Sequence, residues 1–119
     1  MYKTNSSIYV KGPKAESYSY VVSWSEEDKV FVGKVLEFPS LAAHGESQES
    51  AMREVRTVVE HVLGDLAESG EPIPAPFGQR RYSGKLNIRI PEELHRQLAI
   101  DSERHGISLN MLINLKLSR

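Results

Sequence analysis

Lys85, Asn87 and Arg89 stand at alternate positions of residues 85–91, KLNIRIP, with Leu86, Ile88 and Ile90 between and after them. Alternate residues of an extended chain point to opposite faces, so one face is polar and hydrogen-bonding and the other aliphatic. The chemistry open to the polar face is recognition. Arginine or lysine pairs with O6 and N7 of guanine, and asparagine bridges N6 and N7 of adenine, all from the major groove of DNA.

The other reactive residue types form no constellation. A two-metal nuclease needs carboxylates that converge, yet residues 18–24, YSYVVSW, hold no Asp or Glu. Glu37 and Glu46 fall near expected strand ends, whereas Glu54, Glu60 and Asp65 are spread along an expected helix. His61 and Asp65 are four apart, which fits a solvated helix face better than a metal site. His44 has no evident acid or base partner. There is no cysteine, no phosphate-cradling glycine loop and no G-x-S-x-G elbow. Neither an enzyme nor a bound cofactor or metal is expected.

These residues need elements to position them. After Pro91, apolar positions at Leu94 and Leu98, with Ala99 and Ser102 beside them, mark a helix that Gly106 stops. Pro91 suits the first helical position. Ser108 caps a second helix with a stripe of Leu109, Leu112, Ile113 and Leu117, and Ile107 is placed to staple onto Leu112. The start of that helix offers amides to a phosphate. A unit this small buries little core, and a lone strand is unstable. Antiparallel pairing with a second copy joins two apolar faces and displays two sets of Lys85, Asn87 and Arg89 on a ribbon that fits the major groove.

Upstream, residues 18–24 and 30–35 read as a hairpin around the polar turn SEEDK, followed by a short strand at 41–45. Residues 8–10 give a weaker strand signal. Ser47 caps a helix over 48–69 with apolar positions at Ala51, Val55, Val58, Val59, Val62 and Leu66, and Gly70 and Pro72 end it. The proline-spaced EPIPAP then makes a linker or an edge strand. The expected fold is α+β: a β-β-β-α layer over residues 1–76, a linker at 77–84, and a strand-helix-helix module over 85–119.

The chain has 119 residues and a net charge of −1, unevenly spread. Residues 1–79 hold seven basic and twelve acidic side chains, and residues 80–119 hold eight and four. The acidic front and basic back suggest two partners, with nucleic acid at the back. No apolar stretch approaches signal-peptide or membrane-span length, so a soluble cytoplasmic protein with no membrane contact is expected.

KLNIRIP, a helix and GISLN together resemble the ribbon-helix-helix repressors of the Arc and MetJ type. That resemblance implies base reading by Lys85, Asn87 and Arg89, and a grip on the DNA backbone by Ser108, Leu109 and Asn110. The front is similar to the HicB antitoxin family in its aromatic-rich first strand, its V-G second strand, the turn EFPSLAAHG, the A-x-x-E-V helix and the exit GEPIP. Ser50 stands where relatives often carry an acidic residue, which is expected to weaken the capping box. The resemblance implies a degenerate ribonuclease-H-like domain, a HicA-like ribonuclease toxin as partner, and repression of the protein's own operon at a palindromic site. It further implies a homodimer through the C-terminal strand, with front-domain association allowing a tetramer. Glu26, Glu27, Asp28, Glu37 and Glu46 are the expected contacts to a basic toxin. The alternative is a stand-alone ribbon-helix-helix regulator whose front domain senses a protein or ligand.

Overall fold

A computed structural model describes residues 9, 10 and 12–118. It divides the chain into two compact units, Met1–Ser83 and Gly84–Arg119.

The first unit contains β1 (Tyr9–Val10), a 3-10 turn (Ala15–Ser17), β2 (Tyr20–Ser25), β3 (Val30–Val35), β4 (Ala42–Gly45), α1 (Gln48–Ser69), β5 (Ile73–Pro74) and a second 3-10 turn (Phe77–Gln79). β2, β3 and β4 form an antiparallel sheet in that order, and β1 pairs antiparallel with β5. The expected strand at 8–10 is thus present over Tyr9–Val10, with Ile8 outside the described residues. The expected edge strand among the prolines is β5. The β-branched and aromatic content of β2 and β3 suits a pleated, half-buried surface. Their four-residue connection carries Lys29 at φ 57 and is closed by the Lys29 amide donating to the Ser25 carbonyl at 2.7 Å.

α1 covers one face of the sheet. Its buried positions are Ala51, Val55, Val59 and Leu63, spaced four apart, while Val58, Val62 and Leu66 flank them half-buried. Leu63 extends the stripe beyond the positions read from the sequence. Two glycines permit the close approach of helix and sheet. A Cβ on Gly33 would stand 2.8 Å from the Ala51 carbonyl oxygen and from Val55 Cγ1, and one on Gly45 would stand 2.3 Å from the Ala51 amide nitrogen. The core continues below through Ala15, Tyr18, Val35, Val59, Leu63 and Ile73, with Tyr20, Phe38, Leu41 and Leu66 packed against it.

The caps of α1 correct one expectation. Ser50 does not weaken the capping box: the Ser47 hydroxyl accepts from the Ser50 amide at 3.0 Å and the Ser50 hydroxyl accepts from the Ser47 amide at 3.0 Å. A serine hydroxyl reaches back as the longer acid would. At the other end Gly70 is left-handed at φ 75, as a helix stop requires.

The second unit contains α2 (Glu92–His105) and α3 (Leu109–Leu117). Pro91 precedes the first helical residue, at ψ 145, rather than occupying it. Gly106 at φ 65 ends α2, with the amides of Gly106 and Ile107 donating to the Glu103 and Ser102 carbonyls. Ser108 caps α3 by accepting from the Met111 amide at 3.0 Å. Residues 85–90 belong to no strand of this single chain. Ser102 and Leu112 are the buried residues of these helices, whereas Leu94 and Leu117 remain exposed. Among the described residues no helix is long and apolar enough to cross a membrane.

Candidate nucleic-acid and protein interfaces

The second unit presents Lys85, Asn87 and Arg89 on the exposed stretch that runs into α2. The intervening aliphatic side chains are not covered either: Leu86 is 84% exposed and Ile88 63%. Ile90 is half-buried. Behind them Ile88, Ile90, Leu94, Leu98, Ile113 and Leu117 line an apolar concavity of about 260 Å³, with Lys116 at its margin. Exposed aliphatic surface of this kind favours removal from water by about 25 cal/mol per Å² buried. The expected helix stripes therefore exist as stripes: Ser102 and Leu112 are buried, Leu98, Ala99, Leu109 and Ile113 are half-buried, and Leu94 and Leu117 are exposed.

Ser108 caps α3, and Leu109 and Asn110 open its first turn. The Ser108 hydroxyl is committed to the Met111 amide, and the Ser108 carbonyl accepts from Leu112. The amides of Leu109 and Asn110 stand ahead of the first intrahelical bond, where helices lack internal acceptors. Asn110 is exposed and Leu109 half-buried, so the two contribute differently: a polar side chain from one, mainly backbone from the other.

In the first unit, Glu26, Glu27 and Asp28 come together on the exposed β2–β3 turn. The Glu26 carboxylate accepts from Trp24 Nε1 at 2.9 Å and from the Lys29 ammonium. The Lys29 contact, then the Trp24 contact, hold its carboxyl below the ordinary value. Asp28 is tied in through its amide, which donates to the Ser25 hydroxyl at 3.1 Å. Trp24 packs edge-on against Phe31 at 5.1 Å between ring centroids, which fixes the base of this turn. The pairing of Phe31 with Gly45 carries exposed Glu46 to the same end of the sheet as the acidic turn. Four of the five expected acidic contacts thus share one end of the first unit.

Glu37 departs from that expectation. It follows β3 at the opposite end of the sheet and is only 7% exposed. Its Oε1 accepts from the Ser19 amide at 3.0 Å, and its Oε2 from the Ser19 hydroxyl at 2.9 Å and the Phe77 amide at 2.8 Å. A carboxylate so engaged and so buried presents almost no surface to a partner protein. Burial pushes its carboxyl up, but the Phe77 and Ser19 donors outweigh that and hold it below the ordinary value.

The sequence reading missed a cluster around this carboxylate. The Tyr18 hydroxyl donates to the Pro74 carbonyl at 2.6 Å, and the Tyr18 ring meets Phe38 at 5.4 Å. Burial first, then the nearby Glu37 charge, push the Tyr18 hydroxyl up to about 12. Residues 77–82, expected to be linker, stay with the first unit. Arg80 Nε donates to the Ala75 carbonyl at 2.9 Å, its guanidinium lies 4.4 Å over the Phe77 ring, and the Tyr82 hydroxyl donates to the Phe77 carbonyl at 3.0 Å. The only sequence signal was a run of aromatic and arginine residues, FGQRRY, where a flexible linker would carry small polar ones.

His44 is exposed on β4 opposite Val32, and His61 and Asp65 are exposed on α1. Among the described residues no three His, Asp or Glu side chains are grouped to hold a metal ion.

No curated protein and no solved structure matches the chain. The model of the HicB family matches residues 68–117. That stretch opens in the last turn of α1, takes in β5 and the connection, and ends at the last residue of α3, so it contains Lys85, Asn87, Arg89, Ser108, Leu109 and Asn110.

Proposed function

We propose that the chain is an antitoxin of the HicB kind that binds and neutralises a small basic ribonuclease toxin and represses its own operon. The observation that carries this reading is the stretch 85–90 inside the HicB-matched region. It alternates polar and aliphatic residues, exposes the polar set together with Leu86 and Ile88, and runs directly into α2 and α3. Pairing with a second copy would satisfy the stretch as a strand, cover Leu86 and Ile88, and leave Lys85, Asn87 and Arg89 outward as a ribbon for the major groove of a palindromic operator. Ser108, Leu109 and Asn110 would then hold phosphates on either side.

The front unit supplies the toxin-binding surface in this reading. Glu26, Glu27, Asp28 and Glu46 make one end of the sheet acidic, and an RNA-binding toxin presents the complementary charge. The ribonuclease-H-like description rests on three antiparallel strands followed by a covering helix. The work of the protein is then binding in the cytoplasm rather than catalysis. Front-unit association on top of tail pairing would build a tetramer.

The test is to mix the full-length protein with the product of the adjacent reading frame. A stoichiometric complex that silences an RNA-cleaving activity supports the antitoxin reading. Failure to form any complex, with specific binding to promoter DNA retained, replaces it with the stand-alone regulator.

A further inference from the structure

Glu37 joins two places far apart in the chain. Ser19, just ahead of β2, gives it an amide and a hydroxyl; Phe77, 40 residues beyond Glu37, gives it an amide where the chain prepares to leave the first unit. The ion pairs of the described residues, Lys29–Glu26 and Arg96–Glu93, do not include it. A buried carboxylate held by neutral donors is strongly bound only while each donor stays in place, because an unmade bond leaves a desolvated charge. The Phe77 bond is the pivotal one. The Phe77 ring lies under the Arg80 guanidinium, and the Phe77 carbonyl accepts from Tyr82. Whatever holds Phe77 therefore holds the turn as far as Tyr82.

We propose that Glu37 is a latch, a positioning residue that docks residues 77–82 on the first unit and so fixes where the chain departs toward the second. When the latch holds, departure begins beyond Tyr82. When it opens and the Arg80 bond to the Ala75 carbonyl goes with it, six more residues join the connection and lengthen its reach by up to about 20 Å. The device is independent of the antitoxin reading. Where that reading holds, the latch sets the reach available between a bound toxin and bound DNA.

The test compares the full-length protein with Glu37→Gln and Ser19→Ala. Glu37→Gln turns a side-chain amide NH2 toward a site made only of donors, and Ser19→Ala removes a single hydroxyl bond. Amide exchange at Phe77 and tryptic cleavage after Arg80 and Arg81 report the latch, while cleavage after Arg96 and Arg104 in α2 serves as the internal reference. Glu37→Gln should speed Phe77 exchange and cleavage after Arg80 and Arg81 by about tenfold or more, the change expected from losing one charge-assisted hydrogen bond. Ser19→Ala should speed both by less, and cleavage in α2 should not change. A folded Glu37→Gln protein with native exchange at Phe77 overturns the proposal. So does faster exchange spread evenly over β2, β3 and α1, which would mean general destabilisation. If Glu37→Gln does not fold, Ser19→Ala decides, and unchanged Phe77 exchange in that variant overturns the latch.

Discussion

At the residue scale, two side chains of one sequence type and one of another show how environment assigns roles. Glu26 and Glu37 are both carboxylates held below their ordinary value, but Glu26 lies in solvent beside Lys29 whereas Glu37 is buried among neutral donors. Only the buried one ties distant parts of the fold together. Its pKa is depressed, so its stabilisation is present above the ordinary value of 4.5 and is lost as pH falls through the folded value. Urea midpoints measured from pH 7 to pH 3 should therefore fall less steeply in a folded Glu37→Gln protein than in the native one. Tyr18 has the opposite sign and the alkaline range. Its hydroxyl is raised from 10.0 to about 12, so its stabilisation is complete below 10 and is lost as pH rises through that window. Tyr18→Phe should flatten that alkaline limb while losing the bond to Pro74, which costs about 1 kcal/mol at neutral pH. In the proposed DNA-reading role, Arg89 is the residue whose side chain can fork onto a guanine. Arg89→Ala should weaken promoter binding by about 1–3 kcal/mol and relax preference at one position of each half-site, read by competition among operator variants.

At the scale of elements, packing distances set the expectations. Gly33 and Gly45 let α1 sit on the sheet, and an added methyl must move backbone in either place. Gly45→Ala should lower stability by about 1–3 kcal/mol, the usual range for overpacking, and Gly33→Ala should act in the same direction. Gly64, on the exposed side of α1 with nothing near its would-be Cβ, is the contrast: Gly64→Ala should raise stability by about 0.5–1 kcal/mol in urea unfolding. The exposed stretch ahead of α2 yields a third expectation. Ile88→Asp places a charge where the second copy would pack in the proposed dimer: sedimentation should show a dimer for the native protein and a monomer for the variant, and DNA binding should fall with it. Legibility followed the range of the interaction. β3 and α1 could be read to the residue because a β-branched run between turns and a serine-to-glycine capped stripe are local signals. The start of β2 could not. Ser19 gives its amide to the Glu37 side chain instead of to a strand, so β2 begins at Tyr20 and Tyr18 turns into the core. Nothing near Ser19 in sequence announces a carboxylate 18 residues away. The expectation of a surface role for Glu37 failed for the same reason. Residues 85–90 are the converse: the strand pattern is plain, but the single chain forms no strand there.

At the scale of the whole molecule, the charge asymmetry survives when counted by compact unit: residues 1–83 hold nine basic and twelve acidic side chains, and residues 84–119 hold six and four. The boundary matters for separating the proposed activities. Residues 80–83 stay with the first unit, and Arg80 supports the turn at Phe77. A truncation placed after Ser83 should therefore keep toxin binding and lose DNA binding, whereas one placed after Gln79 should also weaken the fold around Glu37, measured by thermal unfolding. Inhibition of toxin-catalysed RNA cleavage by the full-length protein tests the central claim most directly. The account predicts that the native protein and Arg89→Ala suppress cleavage equally at stoichiometric amounts, although only the native protein holds promoter DNA tightly. Cleavage that continues in an excess of the native protein, or that is restored by Arg89→Ala, would contradict the division between a toxin-binding front and a DNA-reading tail.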